Sequence, residues 1–355
     1  MLINTITIRD NCEKIFAAYG FSAEESAIIT DVLLRADLYG IESHGIHRLV
    51  RYHDEITSGQ VDVKAKTETA HETAISACIE ANKGMGQTVS VDAMKLAIQK
   101  AKTSGCGMIT VRNSNHYGIA SYYTEMAAEQ DLIGVCMTNT EAICVPTFGS
   151  QAMTGTNALA LAMPAEPFLF SYDASTTVVP RGKLEVYRKN GEPLPDNWAL
   201  DANGKPCNDA AVVVDNIIAK AGGGIAPLGG LGTLHGGHKG FGLSIIVDLF
   251  SAVISGGLTS NHVNRKPGST GICHYFMALD YGIFGDKASI KNGMSKFLQE
   301  IRESKKAEGQ SRIYTHGERE AELMSQRLNA QIPVNEKTLE EMKNIANKLN
   351  VNITI

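Results

Sequence analysis

An α/β fold whose helices collect at the two ends of the chain is predicted from three observations. Between residues 73 and 164, apolar strand-like runs, polar turns and helical stretches follow one another in order. The first 60 or so residues, and those from 318 on, read as helical, and the two sets should pack together as one discontinuous domain. With 355 residues, 43% hydrophobic and 20% charged, the chain can bury a large core and split into two domains. The expected division is a helical domain, 1–75 with 310–355, and an α/β domain, 76–309. Alternating βα units would give a parallel sheet.

The bulk numbers also exclude partners. A net charge of -5 without a block of like charges argues against nucleic acid or a membrane surface. Acidic ligands must then be met by local cations. Cys12, Cys78, Cys106, Cys136, Cys144, Cys207 and Cys273 form an odd set without a CxxC, which is reduced, cytoplasmic usage. The start MLINTITIRDNCEK has no apolar signal core, and no window reaches the ~18 apolar residues of a membrane span.

In chain order, Asp10 or Asn11 opens a helix closed by Gly20, and Ser22 with Glu25 forms a capping box ahead of Ile28 to Leu34. After Gly40, Ile46, Leu49, Val50 and Ile56 recur at helical spacing until Gly59. Ser43 stands at the N-cap of this helix, His44 falls in its first turn, and Arg48, four residues on, shares that face. A guanidinium grips a carboxylate through two parallel hydrogen bonds, and a histidine near pKa ~6.5 exchanges protons. That pairing suits a 2-hydroxy acid; a capped surface helix in water accounts for the same pattern. No metal is predicted, because no carboxylate or cysteine is spaced to complete a shell with His44 and His47.

The stretch Ser43-His44-Gly45 with Arg48 resembles the signature of the malate/L-lactate dehydrogenase family, which also contains sulfolactate, ureidoglycolate and diketogulonate oxidoreductases. The likeness runs along nearly the whole chain. This family is unrelated to the Rossmann-type lactate and malate dehydrogenases. The resemblance implies a non-Rossmann α/β (α+β) fold, a largely antiparallel cofactor-binding sheet, and a homodimer with its sites near the interface.

Further along, Thr73–Glu80 reads as a strand, 82–86 as a turn, and 87–104 as a helix stopped by Gly105. Cys106–Arg112 is a strand, Asn113–Gly118 a polar turn, and 119–130 a helix. The exposed His116 at that turn fits a polar site residue, as it also fits an ordinary loop histidine. By resemblance, His116, Tyr117 and Gly118 line the cofactor and substrate pocket. Leu132–Met137 and 158–164 are strands joined by turn-rich loops. The resemblance turns Thr140, Thr156 and Asn157 of those loops toward ligands.

Phe168–Tyr172 is a strand ending at Asp173, an acid placed for a ribose hydroxyl or for a helix cap. The family carries Asp-Met-Ala or Asp-Met-Ser here as part of its nicotinamide-cofactor site. By resemblance Asp173, Ala174 and Ser175 take that place, with Ala174 and Ser175 a mild departure, and Arg181 and Gly182 match a segment that closes over substrate. Residues 191–206 form a turn-rich surface loop.

Ten glycines fall within Gly222–Gly242. The stretch is neither a Rossmann fingerprint nor a P-loop, and the apolar helix Phe241–Ile254 that follows argues for an ordered loop at a helix start, with Lys239 beside a seat for a pyrophosphate. The family's dinucleotide-contacting motif matches Gly237-His238-Lys239-Gly240, and Pro227–Gly230 most resembles the malate/lactate and sulfolactate branches. Asn261–Gly271 is a polar loop, Ile272–Leu279 a strand whose His274 reads as a sheet histidine, and 286–304 a helix. Ser311–Glu320 resembles the family's Tyr-Pro-Gly-Glu cofactor segment through Gly317 and Glu318, with His316 in place of the proline. Helices over 318–329 and 336–349, with Pro333 between, close the chain.

The expected function is a reversible oxidoreductase on a small-molecule 2-hydroxy acid and its 2-keto acid, malate or lactate first, with NAD as cofactor and NADP left open. His44 exchanges the hydroxyl proton, Ser43 orients it, Arg48 holds the carboxylate, and His116, Thr156, Arg181 and Gly182 shape the pocket. One rival is an enzyme of the same fold acting on sulfolactate, ureidoglycolate, diketogulonate or a cyclic imino acid. The other is a dinucleotide binder without catalysis, against which the intact Ser43-His44 and Arg48 speak.

Overall fold

The computed structural model describes residues 1–264, 268, 270–328 and 330–354. Among these, seven strands form the main sheet: β2 (Glu68–Glu72), β3 (Ser76–Glu80), β4 (Cys106–Ser114), β5 (Ile133–Thr138), β6 (Ala158–Met163), β7 (Phe170–Ala174) and β10 (Ile272–Leu279). Their spatial order is β2-β3-β4-β10-β5-β6-β7, and only β3 and β4 run parallel. The antiparallel sheet implied by resemblance is therefore the one formed, and the parallel sheet expected from alternation is not.

The reason is visible in the topology. Helix α4 (Gly86–Ser104) joins β3 to the parallel β4, and α5 (Ser121–Ala128) joins β4 to β5, so both βα units are real. Strand β10 arrives from far downstream, inserts between β4 and β5, and pairs antiparallel with both. Apolar residues of α4, α5 and the sheet form one core around Met94, Ala97, Tyr123, Cys136 and Phe276.

A second core joins the chain ends. Helices α1 (Thr5–Tyr19), α2 (Ala23–Leu38) and α3 (Leu49–Thr57) bury Ile15, Phe16, Leu33 and Tyr52 against Leu339, Met342 and Ile345 of α11 (Glu336–Lys348). Strands β1 (Leu2–Asn4) and β11 (Gln331–Pro333) pair antiparallel and tie the same ends together. The Ser22–Glu25 capping box is present in full at the start of α2.

Several local expectations are corrected. Helix α1 is opened by Asn4, whose side chain accepts the Ile6 N–H, whereas Asn11 lies buried inside it and bonds the Thr354 backbone. The stretch 73–80 is not one strand, because Thr73 makes the turn between β2 and β3. No element was expected at α6 (Arg181–Asn190) or α7 (Ala210–Ala219), which build a third core with the short pair β8 (Ala199–Leu200) and β9 (Gly224–Ile225). The helix expected at 241–254 begins earlier, as α8 (Gly237–Asp248), and ends in a π-helical turn, Leu249–Val253. Helices α9 (Lys287–Glu303) and α10 (Glu318–Arg327) stand where expected, though Asn329 lies outside the described residues, as do 265–267 and 269 of the polar loop.

Candidate active site

The segment that carries His44 is not one helix. Glu42–His44 and Ile46–Arg48 are two separate 3-10 turns before α3, and Gly45 between them is extended, with φ -83 and ψ -151. The break is enforced by Asp37 at the end of α2. Its Oδ2 accepts the Ile46 N–H at 2.8 Å, and its carboxyl packs so closely that a Cβ on Gly45 would lie 2.0 Å from Oδ1. Burial pushes the Asp37 carboxyl up to about 7, against the pull of the Ile46 N–H.

Ser43 therefore caps no helix. Its Oγ lies 2.9 Å from Nδ1 of His44, while Nε of Arg48 donates to the Ser43 carbonyl at 2.6 Å. The guanidinium thus sits beside the histidine because the backbone between them is folded back, not because four residues of helix separate them.

His116 stands at the turn after β4 and completes the cluster. Its ring stacks on that of His44 with centroids 5.7 Å apart and planes 28° from parallel. The turn is pressed against the start of α4: a Cβ on Gly86 would lie 2.3 Å from the His116 carbonyl oxygen. Tyr52 of α3, fully buried, bonds Nδ1 of His116 at 2.8 Å.

Burial and the cations of Arg48 and Arg51 push His44 down to about 4. Burial, then Arg51, His44, Arg48 and His274, hold His116 well below its ordinary value. Both imidazoles are consequently neutral at pH 7. Arg51 is paired with Glu55 at 2.7 Å, and Arg181 at the start of α6 is paired with Glu185 at 2.9 Å. The charges of Glu185 and Arg181 both act on Arg48, so α6 overlooks this cluster. Two neutral imidazoles beside a fixed guanidinium can exchange a proton with a hydroxyl whose neighbouring carboxylate the guanidinium holds.

Thr140 and Thr156 meet each other, with their hydroxyls 3.2 Å apart and the Thr156 N–H donating to Thr140 Oγ1 at 2.9 Å. Asn157 beside them is buried and committed to structure. Its amide donates to Asp248 at 2.8 Å and to the Ser244 carbonyl, and its oxygen accepts from Thr140 and Ser260. Tyr117 also faces inward, stacked on the sheet histidine His274 at 4.5 Å, and Gly118 turns the chain at φ +88 against Val32.

Asp173 and Gly317 meet at a cavity of about 250 Å³ whose walls include Tyr39, Ile41, Ser171 and Tyr314. One oxygen of Asp173 accepts the Ser121 N–H at 2.8 Å and so caps α5. Ala174 and Ser175 follow it, half-buried. Glu318 is turned away from the cavity, bonding Arg312 and the N–H and hydroxyl of Thr315, so it braces the segment. His316, in the proline position, packs its ring edge-on against Phe170 and Tyr172. Tyr39 and Ile41 lead directly into the His44 turn, so one stretch of chain joins cavity and imidazole pair.

The Gly237–Gly240 motif forms the first turn of α8. Its glycines serve chain packing, since a Cβ on Gly237 would lie 1.9 Å from the Gly230 carbonyl oxygen and one on Gly240 would lie 2.2 Å from that of Leu228. His238 and Lys239 remain exposed. Among the described residues no three His, Cys, Asp or Glu side chains gather to hold a metal, and no helix is long and apolar enough to cross a membrane.

Residues 3–343 match the family model described as malate/L-lactate dehydrogenase. The chain belongs to this family. Among curated relatives, a malate dehydrogenase of Pyrococcus abyssi is 42% identical over 95% of this chain and 92% of the relative. A malate/(S)-sulfolactate dehydrogenase of Methanothermus fervidus is 34% identical over 100% of both chains. The malate dehydrogenase structure from Entamoeba histolytica superposes with a TM-score of 0.94 at 33% identity, covering 100% of this chain and 99% of that one. The protein is thus an oxidoreductase of the malate/L-lactate dehydrogenase type.

Three residues of this family member's cluster escape sequence reasoning: Tyr52, Arg51 and Asp37. Tyr52 had a faint signal, lying four residues after Arg48. Asp37 had none, because its role depends on α2 ending where the His44 turn passes.

Proposed function

We propose that this protein interconverts malate and oxaloacetate with NAD as the hydride carrier. The observation that carries the reading is the pair of neutral imidazoles, His44 and His116, stacked beside the Arg48 guanidinium. Similarity to malate dehydrogenases chooses the substrate. Arg48 holds the carboxylate next to the reacting carbon, and His44 takes the hydroxyl proton in one direction and returns it in the other. Arg181 and Gly182, on the helix overlooking Arg48, with Thr156, shape the pocket around the far carboxylate.

The nicotinamide ring, when bound, accepts or supplies the hydride. The cavity at Asp173 and Gly317 fits the nucleoside half of such a group: Tyr39 and Tyr314 line it, and Asp173 has a carboxylate oxygen for a ribose hydroxyl. The same lining holds Glu125 and Glu320, which disfavour a 2′-phosphate, and Arg319, which favours one. Ala174, Ser175 and Glu318 then support the cofactor from behind. Thr140, Tyr117 and Gly118 bound the space between ring and imidazoles. The first turn of α8, with His238, Lys239 and Gly240, is the seat assigned to the pyrophosphate.

The protein acts as a homodimer. Leu243, Ile246, Leu249 and Val253 form a stripe along α8 and its π-helical end, 36%, 42%, 43% and 56% exposed, which a second copy would cover. The domain division proposed is 1–75 with 310–355, and 76–309, which the two cores support in part: β2 (Glu68–Glu72) lies in the main sheet, and Met85 packs in the core of the chain ends.

The test is oxidation of NADH and NADPH against oxaloacetate, pyruvate, sulfopyruvate, 2,3-diketogulonate and piperideine-2-carboxylate. Oxaloacetate with NADH should be fastest, and His44→Ala should lower turnover by about 10²–10⁴-fold. Faster reduction of another acid, or survival of turnover in His44→Ala, overturns the reading.

A further inference from the structure

The two imidazoles of the site are held alike, each by a hydroxyl at Nδ1. For His44 that hydroxyl is its exposed chain neighbour Ser43; for His116 it is Tyr52, which lies 64 residues away. Among the described residues, neither ring makes a side-chain hydrogen bond through Nε2, so that nitrogen is the one each ring has free.

The direction of the Tyr52–His116 bond decides what His116 can offer. A phenol that donates to Nδ1 leaves the proton of the neutral imidazole on Nε2; a phenol that accepts leaves Nε2 as a bare lone pair. Tyr52 is wholly buried, and a buried O–H needs an acceptor. Its one hydrogen-bonded partner among the described residues is Nδ1 of His116. The amide of Gln87 lies beside the phenol without a hydrogen bond of standard geometry. If Tyr52 accepted from Nδ1, its own proton would have only the Gln87 amide oxygen to go to, with which it makes no hydrogen bond of standard geometry, whereas donation to Nδ1 uses the 2.8 Å bond already formed. Burial also keeps it a phenol, raising its pKa above the ordinary range.

We propose that Tyr52 is a positioning residue of the reaction: its O–H donates to Nδ1 of His116 and fixes the tautomer whose Nε2–H points into the site. His116 then gives a fixed hydrogen bond to the substrate oxygen that is a hydroxyl in one direction and a carbonyl in the other, while His44 exchanges the proton. This rests on the 2-hydroxy acid reading above. It divides the work between two similar rings, one held as donor and one as proton exchanger, without a charge on either in the resting site.

The tautomer is read first on the wild-type protein without substrate, from the imidazole 15N shifts, with His116 assigned by loss of its signals in His116→Gln. A protonated Nε2 and bare Nδ1 are expected; a protonated Nδ1 overturns the proposal. Tyr52→Phe keeps the ring and removes the hydroxyl. Its kcat should fall about tenfold with KM little changed, the value of one neutral hydrogen bond.

Losing the donor to Nδ1 should also ease protonation of His116, so the acid limb of kcat/KM moves to higher pH. The charged and titratable groups facing His116, namely Arg51, His44, Arg48 and His274, are unchanged in this variant. An unchanged kcat and pH profile in a folded Tyr52→Phe overturns the proposal. If the wild type reduces no keto acid, the substrate reading falls, and the tautomer measurement still decides the role of Tyr52.

Discussion

Asp37 offers the sharpest test of how the site is built, through Asp37→Asn. The residue is 4% exposed, and its carboxyl is raised from the ordinary 3.8 to about 7, chiefly by burial. For an acid whose folded pKa is raised, the folded state binds the proton more tightly than the unfolded one. The stabilisation is fully present below the unfolded value and is lost as pH climbs through the folded value. About three pH units at roughly 1.4 kcal/mol each make the loss about 4 kcal/mol between pH 4 and pH 8.

Asparagine keeps the shape and still offers an oxygen to the Ile46 N–H, but it cannot ionise. Wild type and Asp37→Asn should therefore be of similar stability near pH 4, and the variant should gain on the wild type as pH rises, by up to about 4 kcal/mol at pH 8. Urea unfolding at a series of pH values, with equal m-values, measures the gap directly. Because the Gly45 approach and the Ile46 bond survive, turnover should be largely retained. A gap that stays constant with pH would refute the assignment of a buried, raised carboxyl at this turn.

Two further outcomes follow from the same structure. Asn157→Ala strips Asp248, the Ser244 carbonyl, Thr140 and Ser260 of buried partners and places alanine at φ +39; it should cost about 3 kcal/mol in urea unfolding, and a loss under about 1 kcal/mol would deny Asn157 its bracing role. Ile246→Asp puts a charge in the exposed stripe of α8; sedimentation should give a dimer for the wild type and a monomer for the variant, and dimers in both would clear this face of the interface.

The fold was legible in parts. Both βα units around β4 were readable from periodicity, yet the sheet they enter is antiparallel. Periodicity reports that a segment is a strand and says nothing of which strand it joins. The slot between β4 and β5 is filled by β10, more than 130 residues downstream of β5. Helices α6 and α7 went unseen because one begins in a segment read only for its Arg181 and the other is a run of β-branched residues that owes its helical form to the third core.

At the site, the structure brings the predicted His44, Arg48 and His116 together, while the reason given for the first two does not hold. Helical spacing was invoked where Gly45 and Asp37 in fact break the helix. Asn157 and Glu318 stood in the candidate set, and the structure spends their polar groups on Asp248 and on Arg312 and Thr315.

What the sequence determined by itself was local: the Ser22–Glu25 box, the left-handed stop at Gly105, and a histidine and an arginine within five residues of each other. These depend on interactions spanning four or five residues, which chain order fixes. Only the tertiary structure decided that Asp37 breaks the helix at Gly45, that Tyr52 holds His116, and that the two imidazoles stack. Each of those contacts joins different elements, and their meeting depends on how whole faces of helix and sheet pack.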